Sequence, residues 1–348
     1  MSSPADRDAW AEVLASDPDA LATQSPGWVD AVCEAGPYVD DSRLLTAPDG
    51  RRLVLPLVRR RGVPDQVTAR LSMPEGFGSG GILAEGGGLT AADVRAVTEA
   101  VGQGVLGPLL VRPNPRLDRQ WTGAAQWSVR RPSHAQWLDL DGGFDAVWQH
   151  RFHGSVRRAV RKAERSDVEV VRDTTGALMA DFHLLYEQSV LRWARQDGVP
   201  PAVAAARAAR LESQAKFRTV ARLLGDACTT WVAYVHGRPA AGIVVLTQNR
   251  TASYWRGAMD LDLAGPVRAN DLLHATAIRE ACERDLRWYS FGISPPPGSG
   301  LARFKAGFGA ASYYFSDYLL ERIPAMRTLH GVRRVAFRGL KRLSRPRP

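Results

Sequence analysis

The chain has 348 residues, 45% hydrophobic and 24% charged, with a formal net charge of +10. That is enough for one large domain or two ordinary ones, and no run approaches the ~20 apolar residues of a membrane span. Cys33, Cys228 and Cys282 are far apart and never form C-x-x-C, which argues against a disulfide framework or zinc site and for a reducing compartment.

The opening residues, MSSPADRDAWAEVLASDPDA, are polar and acidic, without the basic-then-apolar layout of a signal peptide, so a cytoplasmic location is expected. Charge is held unevenly. Residues 1–140 carry 14 basic and 17 acidic side chains, whereas residues 141–348 carry 32 and 19. A basic second half suggests an anionic partner: nucleic acid, phosphorylated ligands or a membrane surface. Arginine enrichment of a high-GC genome would raise the net charge too, but it does not explain the asymmetry. Lysine is scarce, at four residues (Lys162, Lys216, Lys305 and Lys341) against 42 arginines.

Taken in chain order, residues 6–15 and 27–35 read as helices. Ser42–Gly62 reads as two strand-like runs about an Asp-Gly turn. Gly76–Gly88 is too rich in glycine for regular structure and reads as loop. Thr90–Gly102 reads as a Thr-capped helix with Val94, Val97 and Val101 on one face. GPLLVRP and HAQWLDL follow as strands. In the second half, Val156, Ala159, Val160 and Ala163 share a helical face while Arg157, Arg158, Arg161, Lys162 and Arg165 load the remainder. A strand DVEVVRD, helices over Gly176–Arg195 and Pro201–Leu224, and three strands turned at His236–Pro239 and Gln248–Arg250 come next. A helix over Asn270–Arg284, the strand RWYSFG, a proline-glycine loop and a last strand SYYFSDYLLERI complete the pattern. The expected class is α/β or α+β with a mixed sheet, and both halves order their elements similarly, as in a tandem repeat. Beyond them a basic stretch repeats Met326, Leu329, Val332, Ala336, Leu340 and Leu343 at helical spacing. It could cover the domain, touch anionic lipid or nucleic acid, or stay solvated.

Several motifs fail on context. GQGVLG (Gly102–Gly107) has the letters of a dinucleotide loop, but it follows a helix and precedes a strand, the reverse of the required order. No Walker G-K-[ST] and no G-x-S-x-G occur, and His150 and His153 lack a third ligand, so no metal is expected. What remains is the block from Ser253 to Ala310. Asn270 stands where a helix cap is expected, Asp260 and Asp262 precede it, Arg256 ends one strand and Gly292 the next, and a loop leads to Phe304 and Lys305. This reads as a cleft at strand ends, rimmed by a helix N-terminus and a mobile loop. Spacing alone equally makes Phe304 core and Lys305 a solvated charge, and favours that plainer reading.

The strings WRGA, NDLL, AIREA, YSFGIS and GLARFKAGFGA, with RFHGSVRRAVRKAERSDVEV, FHLLYEQSVLRWA and WVAYVHGRPAAG, resemble the Fem-type proteins over residues 144–321. These are tandem GNAT-fold acyltransferases, among them peptidyltransferases that build peptidoglycan cross-bridges. The resemblance implies two tandem GNAT-like domains: residues 1–143 on the acceptor side, residues 144–322 holding the acyl-donor site, and a basic tail over 323–348. It implies transfer of an acyl group to an amine, with Lys305 at the donor's developing charge and Phe304 against its ribose or base. Asp260 and Asp262 are candidate proton acceptors by position; Arg303, Asn270, Arg256, Arg268 and Gly292 are expected on the donor side. No permanently bound cofactor is expected.

The donor implied is aminoacyl-tRNA, with acyl-CoA as the alternative. Relatives using coenzyme A carry an R-x-x-G-x-[GA] loop at the helix start; here the segment is GPVRANDLL, with no glycine over Val267–Leu273 and with Asp271, whose charge opposes phosphate. tRNA is therefore the expected partner. The acceptor would be an amine-bearing peptide, a peptidoglycan precursor or a small molecule, and the tail could touch an anionic membrane. The long coiled-coil arm of some cross-bridge enzymes is absent, since Pro201–Leu224 reads as a single helix.

Overall fold

The computed structural model describes residues 1–321 except 104, 125 and 126. The basic stretch expected over residues 323–348 lies outside the described residues.

The first half begins with α1 (Arg7–Ser16), whose cap Asp6 accepts from the Ala9 amide, and α2 (Pro26–Ala35), capped by Ser25 with proline at its first position. Then come β1 (Tyr38–Asp40), β2 (Arg43–Thr46), β3 (Arg52–Leu55), β4 (Val58–Arg60), β5 (Arg70–Ser72) and β6 (Leu83–Ala84). The helix α3 (Ala91–Gly102) has the expected Thr90 cap, closed into a capping box by Asp93. It is followed by β7 (Leu109–Val111), α4 (Asp118–Thr122) and the long β8 (Val129–Asp139). The helix-then-strand order around Gly102 and Leu109 is as the sequence predicts.

The second half holds α5 (Gly143–Ala146), α6 (Gly154–Glu164), β9 (Val168–Asp173), α7 (Met179–Asp197), α8 (Pro201–Leu211) and α9 (Gln214–Leu224). The meander β10 (Cys228–Val235), β11 (Arg238–Gln248) and β12 (Thr251–Met259) leads to α10 (Leu261–Val267), α11 (Ala269–Glu283), β13 (Trp288–Ile293), α12 (Gly300–Gly307) and β14 (Ala311–Leu320).

Eleven strands form one sheet in the order β1-β4-β5-β7-β14-β8-β13-β12-β11-β10-β9, beside a small sheet β2-β3-β6. Each half repeats one arrangement. An antiparallel ladder ends in a parallel pair, β5/β7 around α3 and β12/β13 around α10 and α11. The halves interlock because β14 enters between β7 and β8, while β8 pairs with β13. Neither half therefore presents a bare edge at the junction. The mixed α/β tandem expected from the sequence is the architecture observed.

The cores follow from the same interlock. Val156 and Val160 of α6 and Leu273 and Ile278 of α11 are buried on one face of the second-half strands. Phe182 and Leu185 of α7 and Phe217 and Val220 of α9 cover the other face and join Trp10, Trp28 and Val32 of the first half in one cluster.

Three sequence expectations need correcting. Residues 201–224 are two helices, because Ser213 caps a new one by accepting from the Lys216 amide. The helix expected over Gly176–Arg195 starts at Met179, because Asp173 holds the amides of Thr175, Gly176 and Leu178 in a loop. The proline-glycine segment before the last strand is a helix from Gly300. Ser299 accepts from the Ala302 amide, and Gly298 and Gly309, both at positive φ, lie outside the helical run.

Candidate active cleft

The cleft begins with a failure of strand pairing. β12 and β13 pair only at Thr251–Trp288, Ala252–Tyr289 and Ser253–Ser290. Just beyond, β12 carries a bulge at Trp255, since Val245 faces Tyr254 and Val244 faces Arg256. β13 shifts its register against β8 between Ser290 and Ile293, with Gly292 at φ +69°. Both irregularities turn the strands apart and open a gap at the ends of two parallel strands. Gly292 thus serves through its backbone.

Three adjoining spaces follow that gap. The first, about 420 Å³, is lined by Lys305, Arg256, Gly292, Tyr254 and Trp255 from the second half and by Arg112 among others from the first. A middle space of about 460 Å³ is largely apolar, with Trp193, Met259, Leu261, Leu301 and Phe304, and it also reaches Asn270 and Arg268. The third is a furrow of about 430 Å³ lined by Arg158, Lys162, Arg268, Arg303, Asp271 and Phe304. Tyr254, Gly257 and Leu301 border both the first and second spaces; Arg268, Asp271 and Phe304 border both the second and third.

Lys305 departs most from the plain sequence reading. It is 2% exposed, on a helix rather than a mobile rim. Its ammonium donates to the Ile293 carbonyl at 2.9 Å and to Ser294 Oγ at 3.0 Å. Ser294 donates in turn to Gln136 Oε1 at 2.7 Å. Burial disfavours the charged amine and lowers the Lys305 pKa to about 8. Beside it His274 of α11, also buried, is pushed down to about 3 by burial and by the lysine charge, so it stays neutral. Its Nδ1 lies 3.1 Å from the Tyr289 hydroxyl, and its ring packs against Phe304, Phe291 and Phe308.

The other sequence candidates divide. Phe304 packs on His274 and Phe308 at the border of the middle space and the furrow. Arg303 and Arg268 line the furrow, Arg268 at φ +61° as the cap of α11. Asn270 is therefore not the cap but the second residue of the helix, and it lines the middle space. Asp260 and Asp262 line none of the three spaces. Asp260 caps α10 by accepting from the amides of Asp262 and Leu263, and Asp262 is exposed.

Arg256 belongs to a buried group that sequence spacing does not reveal. Its guanidinium donates to Glu212 Oε1 at 2.8 Å and to the Gly76 carbonyl. Glu212 also pairs with Lys216 at 3.1 Å, and Lys216 donates to the carbonyls of Leu211 and Gly76. Burial lowers Lys216 to about 8 despite the carboxylate. Gly76 sits at φ +88°, and a Cβ there would meet Glu212 Oε1 at 2.7 Å, so only glycine lets the first-half loop reach the pair. The signal available in sequence is lysine scarcity, since Lys216 and Lys305 are both buried in an arginine-rich chain.

Among the described residues no group of histidine, cysteine and carboxylate side chains could hold a metal ion, and no helix is long and apolar enough to cross a membrane.

Residues 150–306 match a family model described as an acetyltransferase (GNAT) domain. No curated protein matches the chain in sequence. Among solved structures the chain is similar to FemX, at 12% identity and TM-score 0.66, covering 92% of this chain and 98% of that one. It is similar to L-PGS from Bacillus licheniformis, at 13% identity and TM-score 0.52, covering 99% of each. A tandem GNAT protein from the clavulanic acid biosynthesis pathway is similar at 16% identity and TM-score 0.51, covering 91% of this chain and 95% of that one. Residues 150–306 thus match a GNAT domain, and the chain has the tandem GNAT fold of these structures.

Proposed function

We propose that this protein transfers an aminoacyl group from aminoacyl-tRNA to an amine acceptor. The observation that carries the reading is the furrow. Arg158, Lys162, Arg268 and Arg303 offer a phosphate chain four cations at one end of the strand cleft. The helix start beside it is poorly suited to wrap a pyrophosphate with backbone N–H groups. α10 fills the segment before α11, the Asp271 amide already donates to the Arg268 carbonyl at 3.1 Å, and Asp271 sets a carboxylate there.

In this reading the tRNA phosphates lie in the furrow, the terminal ribose or base meets Phe304, and the acyl carbonyl reaches the Lys305 end. The acceptor enters where the halves meet, which assigns residues 1–143 to the acceptor side and 144–322 to the donor. The amine nitrogen attacks the carbonyl carbon, negative charge collects on the carbonyl oxygen, and the ester C–O bond to ribose breaks. A buried ammonium beside that oxygen lowers the barrier by roughly 2.7–4 kcal/mol, on the scale of one fixed oxyanion donor. A lysine suits the task because its charge is compact and can face one atom. No described side chain lining this end is a carboxylate, so the amine proton passes through water or to the departing ribose oxygen. A tRNA donor places the reaction in the cytoplasm.

The test is incubation with radiolabelled mixed aminoacyl-tRNA and a pool of peptide and small-molecule amines. Acid-stable label on an amine supports the reading; no transfer from any charged tRNA, with turnover of an acyl-CoA, overturns it. The acyl-CoA N-acyltransferase is the second reading, favoured by the acetyltransferase match over residues 150–306, and it predicts release of free thiol.

A further inference from the structure

We propose that Gln136 and Ser294 are positioning residues for Lys305, forming a brace from the first half that fixes which way its ammonium faces. This inference rests on the reading of Lys305 as the cation beside the acyl carbonyl.

A lysine ammonium carries three N–H donors on a flexible stem, so its direction is set by whatever accepts from it. Here two acceptors do so, the Ile293 carbonyl at 2.9 Å and Ser294 Oγ at 3.0 Å. The Ser294 hydroxyl has one proton, given to Gln136 Oε1 at 2.7 Å, which leaves an oxygen lone pair for the lysine. The Gln136 amide is oriented in turn, since its Nε2 donates to the Ala302 carbonyl at 3.1 Å. Ala302 and Lys305 are three residues apart on α12, so the brace closes a ring through the helix that bears the lysine. Ser294 is anchored once more by its amide, which donates to the His134 carbonyl of β8 at 2.9 Å.

Every bond in this ring has one sense, and Gln136 and Ser294 are as buried as the lysine, at 3% and 7% exposed. Two N–H groups are held and one is left for the cleft that Lys305 lines. Gln136 belongs to β8, the strand by which the first half enters the second. The interlocked halves therefore share one site as well as one sheet. A lysine turned by about 1 Å would lose the carbonyl oxygen, and a misplacement of that size typically costs about 100-fold in rate.

The test uses the full chain, with transfer from mixed radiolabelled aminoacyl-tRNA and from acetyl-CoA measured in parallel. Ser294→Ala and Gln136→Leu should lower kcat by roughly 10- to 100-fold with donor KM within about threefold. Ser294→Thr, which keeps the hydroxyl, should restore most of the loss. A second readout is independent of turnover. In ¹⁵N-lysine-labelled protein the Lys305 ammonium, assigned by its loss in Lys305→Met, should exchange slowly in the wild type and Ser294→Thr and rapidly in Ser294→Ala. Wild-type kcat in both brace variants, or an unchanged ammonium signal in Ser294→Ala, overturns the brace. If Lys305→Met keeps turnover with either donor, the reading of Lys305 fails and takes the brace with it. If Lys305→Met is inactive while both brace variants keep kcat, the brace alone fails.

Discussion

Two lysines in this molecule share burial and differ in company. Lys216 and Lys305 are 3% and 2% exposed, and burial lowers each to about 8. Lys216 has a carboxylate at 3.1 Å, and that carboxylate also holds Arg256. Lys305 has a carbonyl, a hydroxyl and, among the described residues, no ion pair. A buried cation with a carboxylate is spent on structure, since each charge answers the other. A buried cation held only by neutral dipoles keeps its field for whatever enters the cleft. The difference teaches where to look for chemistry: the unneutralised lysine, not the paired one, is the candidate to meet the oxyanion of the proposed reaction.

Lys305→Met is the largest blow to that contrast. Turnover should fall by about 10²–10³, the usual cost of an oxyanion donor, while Lys216→Met should change it less than about tenfold because Glu212 still holds Arg256. Equal losses of turnover in the two variants would erase the distinction. Stability should break the other way. Glu212→Gln strands Lys216 and Arg256 without a carboxylate and should cost roughly 3–5 kcal/mol, read from the denaturant midpoint. Lys305→Met, which removes a buried charge, should be at least as stable as the wild type at pH 7.

The same pair separates what sequence makes legible from what it does not. The helix cap at Thr90 and the meander from Cys228 to Met259 are local, and they are read from adjacent residues. The Phe304–Lys305 pair is found by resemblance, not by spacing, which points to a surface charge. Its burial depends on β8 meeting β13 on one side and β14 on the other, contacts of more than 100 residues' separation that no local pattern encodes. Glu212 is hidden for a related reason: Glu212, Arg256 and the Gly76 carbonyl come from three separate segments brought together by folding. The helix around Lys305 is missed because flanking prolines and glycines mask a short run with its own serine cap.

pH sharpens the comparison further. A lysine lowered to about 8 binds fewer protons folded than unfolded between pH 8 and 10.5. Stability therefore rises with pH across that window, and the penalty stands in full below it, at up to about 3 kcal/mol for such a shift. Lys305→Met should flatten this rise between pH 8 and 9.5, and the difference between its denaturation profile and the wild type isolates Lys305. Buried tyrosines such as Tyr254, pushed up to about 12, act above pH 10 in the opposite sense and are common to both proteins. Parallel profiles would show that Lys305 carries no buried charge.

The smallest expected effects fall in the furrow, and they decide between donors. If Arg158 and Arg303 neutralise phosphates of a polynucleotide, each alanine variant should weaken tRNA binding by about 1 kcal/mol. Each should also reduce the slope of log affinity against log salt by about 0.7–0.9, one counterion's share. Both variants should act alike, because the furrow reads charge and not sequence. A short pyrophosphate donor would feel the same substitutions differently. It contacts few cations at once, so acyl-CoA KM would rise while tRNA retention showed no change in salt slope. Filter binding from 50 to 200 mM salt separates the outcomes, and an unchanged slope in both variants would move the furrow from tRNA to coenzyme A.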